Sequence, residues 1–408
     1  MQTNSGAANN RRAKSTRYDP SQMPASETRK RWNIRWMKFD MDKPFLIIVM
    51  TLLILGIVMM FSASYAWGLY DYGDGYYYAK KQIVAAVMGV VVMYFVSHFD
   101  YHMYQNTKLA YLFFIFTWIL NLFTAFKGRD VAGARRWITI GIEFQPSELL
   151  KVAIIIIFAY IISMNYSKFT KKWTYGIVPF AIIIGLCAMV LVLQRHMSGV
   201  LIVGMIGLSL MFVGGVPRKN FWAFVGVCAG AAVMFLLFKS ITDGNMGYIS
   251  ERFQSWRDPS SDIKGSTYQT WQSLLAIGSG GVFGLGFGES KQKFLYLSES
   301  QNDFVFSIIC EELGLIGAVI VMLLFALFIF RGFYIAANSP DKFGMILSAG
   351  ITIQIGLQVL LNIAVATNSF PNTGISLPFF SYGGTALMIQ LVEMGMVLSV
   401  SRQAKTME

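Results

Sequence analysis

SESQNDFVFSIICEELG, Ser298–Gly314, is a polar segment that turns into an apolar run extending to Phe330, with Asp303 at the threshold and Glu311 and Glu312 inside. About 18 or more apolar residues in a row can cross a bilayer as a helix. A carboxylate carried into such a run is costly without partners. The stretch therefore points to a membrane helix and raises the question of what three acids do at its mouth.

The rest of the chain reads the same way. Of 408 residues, 55% are hydrophobic and 14% charged, against roughly 25% charged in soluble domains. Pro44–Tyr70, Leu109–Phe126 and Phe343–Val392 carry no charge at all. The expected fold class is an all-α integral membrane protein of ten transmembrane helices, near 45–66, 82–97, 108–126, 148–163, 175–193, 198–215, 221–239, 303–330, 344–366 and 383–401. Residues 1–43, polar and basic, read as a disordered cytoplasmic tail. Residues 44–402 form the membrane domain, and 403–408 a short cytoplasmic C-terminus. The polar tail does not read as a cleavable signal, so the first span is expected to stay as an anchor.

The net charge of +12 could belong to a nucleic-acid binder, but no recognition motif accompanies it. Arg11, Arg12, Lys14, Arg17, Arg29, Lys30, Arg31, Arg35 and Lys38 precede the first span, and Lys168, Lys171, Lys172, Arg218, Lys219, Arg331, Lys342, Arg402 and Lys405 fall on alternate connections. Retention of basic loops in the cytoplasm places both termini inside. Cys187, Cys228 and Cys310 lie in apolar segments without metal spacing. His98 and His102 lack a carboxylate motif beside them, which makes weak metal evidence.

That orientation puts the longest connection, about 240–302 between helices 7 and 8, on the outside. It holds Arg252, the segment Trp256–Pro259, and GSGGVFGLGFGESKQK from Gly278 to Lys293. With no βαβ context the glycines are not a dinucleotide turn. The apolar residues between them favour a packed or re-entrant segment in which backbone approaches closely. Arg135, Arg136, Lys151, Arg195, Arg252, Lys291 and Lys293 share this outer side. Pairing with Glu143, Glu148, Glu289 and Glu299, or with lipid phosphate, is the plainer reading; cations against the positive-inside trend point to an anionic ligand.

Asp303 can be read two ways, as a cap on the first helical turn or as a catalytic carboxylate. Glu311 and Glu312 lie about 12 and 14 Å deeper on a helix and diverge by about 100°. They are expected to pair with Arg or Lys of another helix as structural charges.

The motifs FSASYA (Phe61–Ala66), ARRW (Ala134–Trp137), FQPSELLK (Phe144–Lys151), WRDP, the glycine-rich run, NDFVFSIICEELG and PNTGISLPFFSYGG (Pro371–Gly384) resemble those of the SEDS family, the group of FtsW, RodA and SpoVE, and its FtsW/SpoVE branch in particular. The resemblance covers about 44–402. It implies a peptidoglycan glycosyltransferase at the outer face of the bacterial cytoplasmic membrane. Such an enzyme polymerises lipid II, a disaccharide-pentapeptide on undecaprenyl pyrophosphate, into β-1,4 glycan for division or sporulation. It works beside a class B penicillin-binding protein and other membrane proteins of that machinery. The family's essential Asp maps onto Asp303, its basic loop residues onto Arg136 and Lys293, and its QPSE motif onto Gln145–Glu148. The expected substrate-binding set is Arg135, Arg136, Glu148, Lys151, Lys293, Glu299 and Ser381. No cofactor is certain, with Mg or Mn on Asp303 left open.

The chain departs from the family at Gln194-Arg195-His196-Met197, where Gln-Pro-Asp-Leu is usual. It departs again at Gln301-Asn302, where His-Thr is usual, and at Asn368-Ser369-Phe370. Two other readings stand beside the enzyme: a lipid II flippase, since internal charges also suit a transporter, and a non-catalytic scaffold.

Overall fold

The computed structural model describes residues 41–404 except 132, 141, 170, 172, 244–254 and 266. The expected tail over 1–43 and Arg252 therefore fall almost wholly or entirely outside the described residues. Each segment expected to span the membrane is helical: α1 (Lys43–Tyr72), α2 (Tyr77–His98), α3 (Thr107–Lys127), α4 (Pro146–Met164), α5 (Val178–Leu193), α6 (Met197–Val213) and α7 (Arg218–Asp243). A further helix, α8 (Tyr268–Gly280), lies inside the long connection. The chain continues with α9 (Val305–Ala337), α10 (Lys342–Ala366) and α11 (Gly384–Ser401). Eight helices among the described residues are long and apolar enough to cross a membrane, and α6 is apolar but shorter. The chain is a helical integral membrane protein; eight spans rest on length and apolarity, and ten on the sequence reading.

Local chemistry sets several helix starts. Asp42 accepts from the Phe45 amide at 2.9 Å and precedes Pro44 in the first turn of α1, where a missing N–H costs nothing. Asn106 and Asp341 cap α3 and α10 in the same manner. Burial then sorts the helices into two layers. The best spanning windows of α4, α10 and α11 are 83%, 72% and 67% buried, against 33% for α2, α3 and α9. The outer helices turn Ile47, Ile54, Leu112, Phe116, Leu323 and Phe330 outward, as a lipid solvent allows.

Three features depart from expectation. The connection between α3 and α4 is a small antiparallel sheet, β1 (Arg129–Val131), β2 (Ala134–Ile140) and β3 (Ile142–Phe144), in order β1-β2-β3. The run of aromatic and β-branched residues Trp137, Ile138, Thr139 and Ile140 suits a strand. The sheet is tied to the bundle by Arg135 N to Gln194 O at 3.2 Å and Thr385 Oγ1 to Glu143 O at 3.0 Å. Second, α1 runs on to Tyr72, leaving only a tight turn at Gly73 before α2. Third, α9 starts at Val305, not Asp303, runs past Arg331, and is broken at Gly314 (φ 66°, ψ −166°).

That break positions the site. At Gly314 the bonds expected from Leu315 to Glu311 and from Ile316 to Glu312 are diverted. Leu285 N and Gly286 N donate to Glu311 O (2.9 Å) and Glu312 O (3.0 Å), while Leu315 N and Ile316 N donate to Gly281 O (2.9 Å) and Val282 O (3.2 Å). The glycine-rich run is therefore a packed insertion beside α9. Non-helical backbone about 14 Å into a helix is tolerable because protein partners satisfy it. A Cβ on Gly314 would sit 2.3 Å from Gly284 N, so glycine is required by both space and φ.

Candidate functional site at the loop end of the broken helix

Glu311 and Glu312 clamp the segment that leads to Asp303. The Glu311 carboxylate accepts from the Ser290 hydroxyl, the Lys291 amide (3.0 Å) and the Gln292 amide (3.3 Å). Glu312 accepts from Ser62 Oγ at 2.6 Å and from Lys293 Nζ at 2.9 Å. Neither acid pairs with a cation on another helix, as the sequence reading expected; both hold the loop, because the break at Gly314 brings that loop alongside. The Lys293 ammonium also donates to Ser62 Oγ (3.0 Å) and Gly288 O (2.6 Å). An ammonium has three N–H donors, and all are used. Lys293, 4% exposed, keeps none for a substrate.

Asp303 is half-buried on the turn before α9. The N-cap position belongs to Phe304, which makes no side-chain cap. The backbone around Asp303 is fixed from three sides. Asn362 Nδ2 donates to Asp303 O and Ile375 O, each at 2.7 Å. The Ser381 hydroxyl donates to Asn302 O and accepts from Leu377 N at 2.7 Å. Tyr382 N donates to Gln301 O at 2.8 Å. The carboxylate itself points at Gly374, where an added Cβ would lie 3.0 Å from Oδ2; Gly374 holds φ +65° and leaves that space open. Ser381 thus places Asp303 through the backbone and has both hydroxyl roles filled. Glu299, exposed with φ 59°, accepts from Asn302 Nδ2 and closes the same turn.

From Gly374 the site continues inward. The carbonyl of Thr373 accepts from Ser198 at the start of α6. Two residues earlier stands His196, 7% exposed, its Nδ1 without a partner. Burial, with the charges of Arg136 and Lys151 nearby, pushes its imidazole down to about 3, so it is neutral at any physiological pH. Lys151 forms a buried ion pair with Glu148 one turn earlier on α4, at 2.7 Å. Arg136 is half-buried on β2, whereas Arg135 and Arg195 are exposed at the rim. Arg129, not one of the candidate cations, takes Glu143 at 2.9 Å.

The geometry therefore joins Asp303, through Gly374, Thr373 and Ser198, to a group of His196, Arg136, Lys151 and Glu148. Ser381 supports the backbone beside Asp303, Lys293 anchors the glycine-rich loop on Glu312, and Lys291 and Glu289 stay exposed. The sequence reading treated His196 only as a departure from a motif, and it passed over Glu393. That acid is fully buried in α11 and accepts from Gln354 Nε2 at 2.7 Å. A lone carboxylate within an apolar span was the available signal. Among the described residues no group of three or more His, Cys, Asp or Glu side chains could hold a metal ion, so these residues do not fit a metal centre built by protein ligands alone.

A family model described as Cell cycle protein, FtsW/RodA/SpoVE, matches residues 43–406. Stage V sporulation protein E of Bacillus subtilis is 36% identical over 371 residues, 90% of this chain and 99% of that protein. A probable peptidoglycan glycosyltransferase FtsW of Geobacter sp. (strain M18) is 34% identical over 365 residues, 89% of this chain and 97% of the relative. Among solved structures, a chain of a peptidoglycan synthase complex that coordinates polymerization and crosslinking aligns with TM-score 0.72 and 26% identity, over 91% of this chain and 99% of that one. The rod shape determining protein RodA of Thermus thermophilus shares the fold, with TM-score 0.65 and 24% identity over 91% of this chain and 99% of that one. By its matched length and its relatives, the chain belongs to the FtsW/RodA/SpoVE family of cell cycle proteins.

Proposed function

We propose that the chain is a peptidoglycan glycosyltransferase that polymerises lipid II at the outer face of the bacterial cytoplasmic membrane. The observation that carries this reading is a partly exposed carboxylate fixed at a helix mouth, connected through one loop to a group that includes the half-buried Arg136 and the buried Lys151–Glu148 pair. An acid beside cations suits a reaction in which a hydroxyl loses a proton while a pyrophosphate leaves. The 4-hydroxyl oxygen of the acceptor GlcNAc attacks C1 of the donor MurNAc. The C1–O bond to the lipid pyrophosphate breaks with inversion, and the hydroxyl proton passes to Asp303. Arg136 and Lys151 stabilise the charge gathering on the departing phosphates, with Arg135 at the rim. Neutral His196 offers a hydrogen bond without adding charge.

Lys293, Ser381, Glu311 and Glu312 act as positioning residues in this account. The outward placement follows from the basic connections at the opposite helix ends. A relative lying in a complex that couples polymerization to crosslinking supports a class B penicillin-binding protein as partner. Asp303 would hold a divalent cation, which would supply positive charge for the departing pyrophosphate.

The test is to incubate purified protein and that partner with labelled lipid II in detergent, and separately in liposomes. A ladder of glycan products supports the enzyme. Translocation in liposomes without any ladder would replace it with the flippase reading.

A further inference from the structure

The strongest unexplained feature lies in the centre of the bundle. Gln354, Gln358 and Asn362 stand four residues apart on α10 and share one face, about 6 Å between neighbours. All three are buried, and the side-chain carbonyl of each, Gln354 Oε1, Gln358 Oε1 and Asn362 Oδ1, has no hydrogen-bond donor. Ser348 Oγ, farther along the helix, is also buried without a partner. At the outer end Asn362 binds the peptide of Asp303. At the inner end Gln354 binds Oε1 of Glu393, whose Oε2 is again buried and unpartnered. Buried polar atoms are ordinarily paired, so a row of orphaned acceptors needs donors that the side chains do not supply.

The charges around Glu393 narrow the donor. α4 brings Lys151, whose ammonium is already paired with Glu148 at 2.7 Å. The buried face of α2 is neutral: Ala79, Gln82, Ala85, Ala86, Gly89, Met93 and Ser97. On α9, Glu311 and Glu312 are taken by the loop, and α1 buries no charge within its span. Asp100, His102 and Arg402 lie at the far end of α11. A second metal-like cation beside Lys151 is opposed by charge. Water donates to amide carbonyls, and one proton on Glu393 turns Oε2 from an orphaned acceptor into a donor.

We infer that Asn362, Gln358 and Gln354 line a file of bound water running from the peptide of Asp303 into the middle of the bundle, and that Glu393 at its inner end is a proton-binding site. The file gives the protein a second titrating group besides Asp303, reached from the same face. It stands independently of the reaction assigned to Asp303.

Infrared difference spectroscopy of the full-length protein in detergent tests this directly. Expected is a protonated-carboxyl stretch that shifts on transfer from H2O to D2O and is lost in Glu393→Gln. No such band in the wild-type protein, a band that ignores D2O, or one that persists in Glu393→Gln overturns the assignment. Cysteine labelling tests the water separately. In a background with Cys187, Cys228 and Cys310 replaced by Ala, Gln358→Cys should react with a small hydrophilic thiosulfonate. Val359→Cys and Ile355→Cys, on the apolar faces, should not. Equal reactivity at the three positions refutes the file.

Discussion

Replacing Lys293 by Met separates the two roles a loop cation could have. In the structure its ammonium is 2.9 Å from Glu312 Oε1, and the paired side chains are 4% and 0% exposed. Removing one partner of a buried pair typically costs about 3–5 kcal/mol, because the other charge is left uncompensated. Here the Ser62 hydroxyl stays on Glu312 at 2.6 Å, so the lower end, about 3 kcal/mol, is expected. Glu312→Gln should cost a similar amount by leaving the ammonium with only Ser62 Oγ and Gly288 O. The double variant removes both charges and should lose clearly less than the sum of the two single losses, with a coupling of about 2 kcal/mol or more. Unfolding in mixed micelles, followed by tryptophan fluorescence, measures all four proteins. Single variants that unfold like the wild type, or a double variant that loses the sum of both, would refute the structural role. A Lys293→Met protein of native stability with a raised KM for lipid II would make Lys293 a substrate ligand after all.

Gly314→Ala should destabilise by more than about 2 kcal/mol, since the new Cβ meets a positive φ and the backbone of Gly284 and Val282. Limited proteolysis should then cut the 281–296 segment faster; unchanged protection would contradict the docking of that loop. Ser381→Ala should lower kcat with little change in KM, because the hydroxyl holds Asn302 and not the substrate; a rise in KM alone would reverse the assignment. At the opposite end of the bundle, burial pulls the His102 imidazolium down, but hydrogen bonds to Asp100 and Asp341 outweigh it and raise the group to about 9. A raised folded value means the contribution is fully present below about pH 6.5 and lost as pH rises through about 9. His102→Gln should abolish that part of the melting-temperature profile, and an unchanged profile would refute the link.

The spans were legible because uncharged runs and their basic flanks are one-dimensional signals. Even the packed nature of the glycine-rich run could be read from the apolar residues between its glycines. The partners were not legible. Nothing local distinguishes Lys293, whose donors are all used, from Lys151, because the break at Gly314 that brings the loop beside Glu312 depends on bonds between residues 26 and 34 positions apart in sequence. The strands over 129–144 were missed because a short hairpin within a loop competes poorly with the helical pattern on either side. His196 looked like a blemish in a motif; only burial beside Arg136 and Lys151 gives it a neutral, donor-capable role. The amide row on α10 escaped notice because glutamines carry no charge to break an apolar run.

The most direct test of the central claim is lipid II polymerisation by Asp303→Asn. The substitution is nearly isosteric and leaves intact the peptide contacts from Asn362, Ser381 and Tyr382. The account predicts a protein that melts like the wild type, still binds its crosslinking partner and yields no glycan ladder. Polymer at the wild-type rate from a folded Asp303→Asn protein would contradict it.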